Sequence, residues 1–161
     1  MFQNTINNIV QLTGIGLHTG QTVNMRLCPA NDNDGISFYR VDKNQKIKYS
    51  YKNVTSTTLS TNISINDALV STTEHLMSAI YAYGIDNINI ELDADEVPIL
   101  DGSAKGFCML LNEAGIKKLN TKKKVLKITK EIIKKHNNSY VKISPSEDIS
   151  FHYSIDFDDK A

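Results

Sequence analysis

Tryptophan is absent from the 161 residues, and there are only two cysteines and three prolines. Cys28 and Cys108 are isolated in sequence, with no Cys-x-x-Cys spacing, which excludes a disulfide framework and the common paired-thiol motifs. Two reduced thiols of a cytosolic protein are the expectation. Charge of one sign is also lacking: 18 Lys plus Arg balance 18 Asp plus Glu. No global field is therefore available to hold nucleic acid or an anionic membrane, and neither is expected as a partner. No apolar run approaches the roughly 20 residues of a bilayer-spanning helix. Met1–Val10 is polar and Asn-rich, without the basic and apolar regions of a signal peptide, so a cytoplasmic location is expected.

What remains is a chain that is 40% hydrophobic and 22% charged, enough for one good core and the beginning of a second. Period-2 alternation dominates its first part. Val23, Met25 and Leu27 face one way, Ile36 and Phe38 repeat the pattern, and so do Ile88, Ile90 and Leu92, which predicts strands with one wet face. The turn-rich segment Pro29 to Gly35 predicts a hairpin joining the Val23 and Ile36 strands. Two segments switch to helical period. Leu76, Ile80 and Tyr83 fall at i, i+4 and i+7, with Ser71-x-x-Glu74 as a capping-box pattern and Gly84 at the expected stop. Phe107, Leu110, Leu111 and Ala114 form a second stripe that ends at Gly115.

Two helices and about five strands over residues 1–120 predict a two-layer α+β sheet-and-helix domain. The run Lys117 to Lys124 reads as a solvated linker and domain boundary. Residues 121–161 then read as linker and first strands of an incomplete second domain, with strand-like stretches at Val125–Ile128, Tyr140–Ile143 and Ile149–Phe157. The last stretch has an apolar face with no following helix to cover it, which favours a truncated domain over dimerisation through that face.

Candidate chemistry is sparse. Gly14-Ile15-Gly16-Leu17-His18-Thr19-Gly20 suggests a phosphate loop, but such loops open a helix, and Thr22 to Leu27 alternates as a strand. The glycines therefore shape a turn. His18 in that turn either satisfies local structure or points at a substrate. Glu74 and His75 open a helix, where Glu74 is explained equally well as a cap and His75 as an ordinary first-turn residue. A zinc site needs three protein ligands, and His75 has no second ligand nearby. His136 reads as part of a Lys/Asn-rich turn and His152 as a water-facing strand residue. Asp95, Glu96 and Asp101 flank Val97-Pro98-Ile99-Leu100, with Asp101-Gly102-Ser103 a turn into the second helix.

Three motifs in order carry more information: Gly14-Ile15-Gly16-Leu17-His18-Thr19-Gly20, Ser71-Thr72-Thr73-Glu74-His75-Leu76, and Glu96-Val97-Pro98-Ile99-Leu100-Asp101-Gly102-Ser103-Ala104. Together with Gly84-Ile85-Asp86-Asn87 and Ser154-Ile155-Asp156-Phe157, the set resembles the zinc-dependent UDP-3-O-acyl-N-acetylglucosamine deacetylases of lipid A biosynthesis. The resemblance implies two similar α+β domains, of which this chain would hold the first and a truncated second. It implies hydrolysis of the substrate's acetamide with release of acetate, Glu74 as general base and His75 as one zinc ligand, the remaining ligands lying beyond residue 161. Leu17 and His18 would lie near a UDP-linked acylated amino sugar, and Thr57 beside its acyl chain, where Thr57-Thr58-Leu59 is more polar than in some relatives. The full-length protein would be a monomer touching the membrane surface transiently through that acyl chain. The contrasting reading is a non-catalytic, degenerate domain that binds a nucleotide-sugar or a protein partner.

Overall fold

The structure is a computed structural model that describes residues 1–155. It divides into two compact units, Met1–Lys123 and the residues from Lys124 onward. The first contains ten strands and two helices rather than about five strands. These are β1 (Phe2–Ile6), β2 (Val10–Ile15), β3 (Thr22–Pro29), β4 (Ile36–Arg40), β5 (Gln45–Lys48), β6 (Val54–Ser56), β7 (Asn62–Ile65), β8 (Ala68–Val70), α1 (Glu74–Ala82), β9 (Ile88–Leu92), α2 (Lys105–Ala114) and β10 (Ile116–Lys122).

The main sheet runs β2-β3-β9-β4-β5, accompanied by a three-stranded β6-β7-β8 sheet and the pair β1-β10. Alternation does what period 2 requires. Val23, Met25, Leu27, Ile88, Ile90 and Leu92 are all buried, and they share one apolar cluster with Leu76, Ala79 and Ile80 of α1 and Phe107, Leu111 and Ala114 of α2. Each large apolar side chain among them contributes roughly 1.5–3 kcal/mol on burial. The opposite face carries cross-strand polar pairs: Arg26 with Glu91 at 2.9 Å, and the Ser37 hydroxyl donating to Asn89 at 2.6 Å. The result is the two-layer α+β arrangement expected from the pattern.

The expected β3-β4 hairpin does not form. β9 lies between those strands, antiparallel to β3 and parallel to β4. The turn residues serve another purpose. Gly35 N–H donates to Asn87 Oδ1 at 2.8 Å, Asn33 N–H to Gln3 Oε1 at 2.9 Å, and Asn87 Nδ2 to Gln3 at 2.9 Å. This buried amide network pins the connection beside the entry to β9 instead of folding β4 back onto β3.

The helix stops follow the sequence. Gly84 has φ +62°, its N–H bonds Tyr81 O at 3.0 Å and Ile85 N–H bonds Ile80 O at 3.1 Å, closing the last turn in the manner of a Schellman stop. The helix start does not: the N-cap is Thr73, without a side-chain cap bond, and the capping box is absent. The Lys117–Lys124 linker is also corrected, because most of it is β10, paired antiparallel with β1. Lysines suit an edge strand, and Lys118 lays its ammonium 4.4 Å from the Phe2 ring centre.

In the second unit, β11 (Ile132–His136) and β12 (Ser139–Ile143) form an antiparallel hairpin. Asn137, at φ +50°, supplies the left-handed position of its two-residue turn. The strand expected near Tyr140 is therefore present, whereas Val125–Ile128 and the described residues of Ile149–Phe157 are not strands. Asp156 and Phe157 lie outside the described residues. Ile149, Phe151, Tyr153 and Ile155 are exposed together with His152 and Ser154 between them, so the expected alternation has no sheet face behind it. His136 ends β11 rather than sitting in the turn, and His152 is not in a strand.

Ile90, fully buried in the central strand, tests this core. Ile90→Ala should lower unfolding free energy by about 3 kcal/mol in urea denaturation. A loss below about 1 kcal/mol would contradict its place at the centre of packing.

Candidate functional site

The Gly14–Gly20 segment caps the antiparallel pair β2-β3. Its turn is closed by Gly16 N–H donating to Gln21 O at 3.0 Å and Gly20 N–H to Gly16 O at 3.1 Å. No helix follows, as the sequence indicated. Such a turn leaves backbone N–H groups pointing inward, and buried donors need an acceptor. They find it in Glu96, whose side chain is fully buried.

The Glu96 carboxylate accepts from His18 N–H, at 3.1 Å to each oxygen, from Thr19 N–H at 2.9 Å and from the Thr19 hydroxyl at 2.9 Å. The Thr72 hydroxyl donates to its other side at 2.7 Å. Gly16 is required by this approach: a Cβ there would lie 2.4 Å from both Glu96 Oε2 and Thr19 Oγ1. Burial pushes the Glu96 carboxyl upward. The donors of Thr19, Thr72 and His18 outweigh it and hold the group below the ordinary carboxylate range.

Glu96 thereby joins the first motif to the second. Ser71 forms an isolated parallel bridge with Glu96, its N–H bonding Asp95 O at 2.8 Å while Val97 N–H bonds Ser71 O at 3.1 Å. The Ser71 hydroxyl donates to Asp95 O at 3.1 Å, and Ser71 does not cap α1 because the N-cap falls two residues later, at Thr73. Thr72 follows at φ +56°, a left-handed conformation that costs a β-branched residue about 1–3 kcal/mol. Thr73 then donates through its N–H, at 3.3 Å, and its hydroxyl, at 3.0 Å, to Thr61 O.

On the far side of Glu96, the buried Arg40 guanidinium grips Asp42 with two bonds, at 2.9 and 2.7 Å, and also bonds the Asp95 carboxylate and Leu69 O. A buried cation held this way fixes the backbone immediately before Glu96.

Glu74 is the first residue of α1, where the helix dipole favours a carboxylate. It is half-buried, and its Oε2 accepts from Thr61 N–H at 3.0 Å. Thr61 ends the loop that begins at Thr57, so that loop is tied to Glu74 at its far end. His75, also half-buried, comes next, about 100° further round the helix. Leu17, His18 and Thr57 are exposed. The five candidates thus belong to two exposed loops and one helix start, joined through Glu96 and Thr61. Glu96 and Thr72 were missed as joining groups. The signal that could have found them was the turn's inward N–H groups together with a carboxylate in the third motif.

The family model for UDP-3-O-acyl N-acetylglycosamine deacetylases matches residues 3–161. The chain belongs to this family. UDP-3-O-acyl-N-acetylglucosamine deacetylases from a Nitratiruptor species, from Nautilia profundicola and from Helicobacter pylori are similar to it at 50%, 51% and 46% identity, each over 98% of this chain. Those alignments cover 53%, 54% and 53% of the relatives. The chain therefore spans about half the length of the curated relatives it matches.

Among the described residues no group of three or more His, Cys, Asp or Glu side chains is placed to hold a metal ion. His75 alone does not meet the three-ligand requirement of a catalytic zinc, so the described residues of this deacetylase-family chain do not form a zinc site by themselves. No helix among them is long and apolar enough to cross a membrane.

The low-lying Glu96 carboxyl gives a pH test. Its contribution to stability is complete above the ordinary glutamate value of about 4.3, and is lost as pH falls from there through the lower value held in the fold. Glu96→Gln should therefore lower unfolding free energy by about 2 kcal/mol at pH 7, with the gap from the unaltered chain narrowing in acid. Urea denaturation from pH 7 to pH 3 measures it. A gap independent of pH would contradict the role of the charge.

Proposed function

We propose that the longer protein to which this chain corresponds hydrolyses the acetamide of a UDP-linked 3-O-acylated N-acetylglucosamine in the cytoplasm, the deacetylation step of lipid A biosynthesis, and that zinc is its cofactor. The family match and the names of the relatives support the reaction class. The observation in this chain that carries the assignment is the start of α1, where Glu74 is the first helical residue rather than the distal member of a capping box, with its carboxylate accepting from Thr61 N–H.

Water attacks the acetyl carbonyl carbon, the carbon–nitrogen bond breaks, and acetate and the free amine leave. Glu74 takes the proton of the attacking water as general base, and the departing nitrogen takes up a proton from a second donor expected from outside residues 1–161. Its bond from Thr61 N–H orients the carboxylate without neutralising it. His75 supplies one ligand to zinc, with the others from outside residues 1–161. Zinc, when bound, supplies a Lewis acid that polarises the carbonyl oxygen. His18 and Leu17 sit on the turn facing solvent, where a substrate would meet them. The Thr57–Ser60 loop, with Leu59 86% exposed, offers an apolar contact for the acyl chain.

The test uses the full-length protein. His75→Ala should lose zinc, read by metal analysis. Glu74→Gln retains an oxygen that can accept from Thr61 but is a far weaker base, so it should keep zinc and lose about 10²–10⁴ in kcat. Full turnover in both variants would overturn the assignment.

A further inference from the structure

Resting on that deacetylase reading, we propose that Glu96 is a positioning residue. Through the Thr72 hydroxyl, its buried carboxylate sets the direction in which α1 begins, and through His18 and Thr19 it locks the Gly14–Gly20 turn to the same point. Glu74 is correctly aimed only while the Thr72–Glu96 bond is made.

Thr72 is the last residue before the N-cap, and it is buried, β-branched and left-handed at φ +56°. Its neighbours are fixed on either side. Ser71 is bridged to the backbone at Asp95 and Val97, and Thr73 to Thr61. The Thr72 side chain is held by its 2.7 Å donation to Glu96 Oε1. Without that bond, the side chain no longer opposes relaxation of Thr72 toward the extended backbone that a β-branched residue prefers. That relaxation would rotate the first turn of α1, which carries Glu74. The Thr61–Glu74 bond at 3.0 Å would carry the displacement into the Thr57–Ser60 loop.

Glu96 also ties down the turn that bears Leu17 and His18. Four of its five bonds go to His18 and Thr19. Removing the Thr72 hydroxyl therefore leaves each oxygen with a donor, so the lost bond is separable from loss of the whole cluster. Displacing a general base by about an ångström can cost about 10²-fold in rate without weakening substrate binding, so the defect belongs in kcat.

The experiment compares Thr72→Val, Thr72→Ser and Thr72→Gly in the full-length protein, with zinc content, kcat and KM measured for each. Thr72→Val keeps the shape and removes the donor. Thr72→Gly also lacks the donor and, although it tolerates the left-handed backbone, is equally free to leave it once nothing holds it, which covers the case in which the valine variant does not fold. Both should retain zinc and KM within about twofold and lose at least about tenfold in kcat. Thr72→Ser restores the donor and should stay within about twofold of the unaltered enzyme. Unaltered kcat in the glycine variant, or a serine variant as impaired as valine, overturns the proposal. Absence of deacetylation in the unaltered protein instead overturns the deacetylase reading, and full turnover in Glu74→Gln overturns the assignment of Glu74 as its base.

Discussion

A single buried carboxylate, that of Glu96, organises the end of the fold on which the candidate site lies. Burial removes its hydration, so five donated hydrogen bonds must replace it. Those donors come from a strand-to-strand turn and from the residue before a helix N-cap, segments far apart in the chain. Satisfying one charge therefore brings two of the three sequence motifs to the third. The same demand explains the absent side chain at Gly16 and the strained backbone at Thr72. Each is a local cost offset by a well-hydrogen-bonded charge.

The larger fold delivers Glu96 to that place. β9 is held on both sides, by β3 and β4, and its inward residues Ile88, Ile90 and Leu92 anchor it in the core. The chain leaves β9 and soon reaches Asp95, which Arg40 holds from one side and Ser71 from the other. The helix start is thus registered to the sheet through a short chain of polar contacts. In the proposed enzyme, one face of that device aims Glu74, while the other shapes the turn bearing Leu17 and His18.

Much of the layer architecture was legible in the sequence, because burial imposes period 2 on strands and 3.6 on helices, and both periods are plain at Val23–Leu27, Ile88–Leu92 and Phe107–Ala114. The glycine stops were legible too, since Gly84 and Gly115 sit where positive φ is required. Strand order was not. Alternation identifies which face of Ile36–Phe38 is buried but carries nothing about its neighbour, and the insertion of β9 depends on long-range pairing. β10 was hidden by its lysines, whose charges are compatible with an edge strand as well as with a linker. Ser71-x-x-Glu74 has the form of a capping box, yet the helix begins at Glu74 with Thr73 as its N-cap, two residues after Ser71. The motifs named the candidate residues, but only their convergence exposed Glu96 as the group between them.

The most direct test of this arrangement is a pH titration of the Glu96 side-chain carboxyl by carbon NMR, with the amide signals of His18 and Thr19 followed in the same samples. The expected result is a carboxyl that stays ionised below the ordinary glutamate value of about 4.3, with both amide signals moving only when it finally protonates. Titration at the ordinary value, with the two amides unaffected, would contradict the claim that this charge holds the site together.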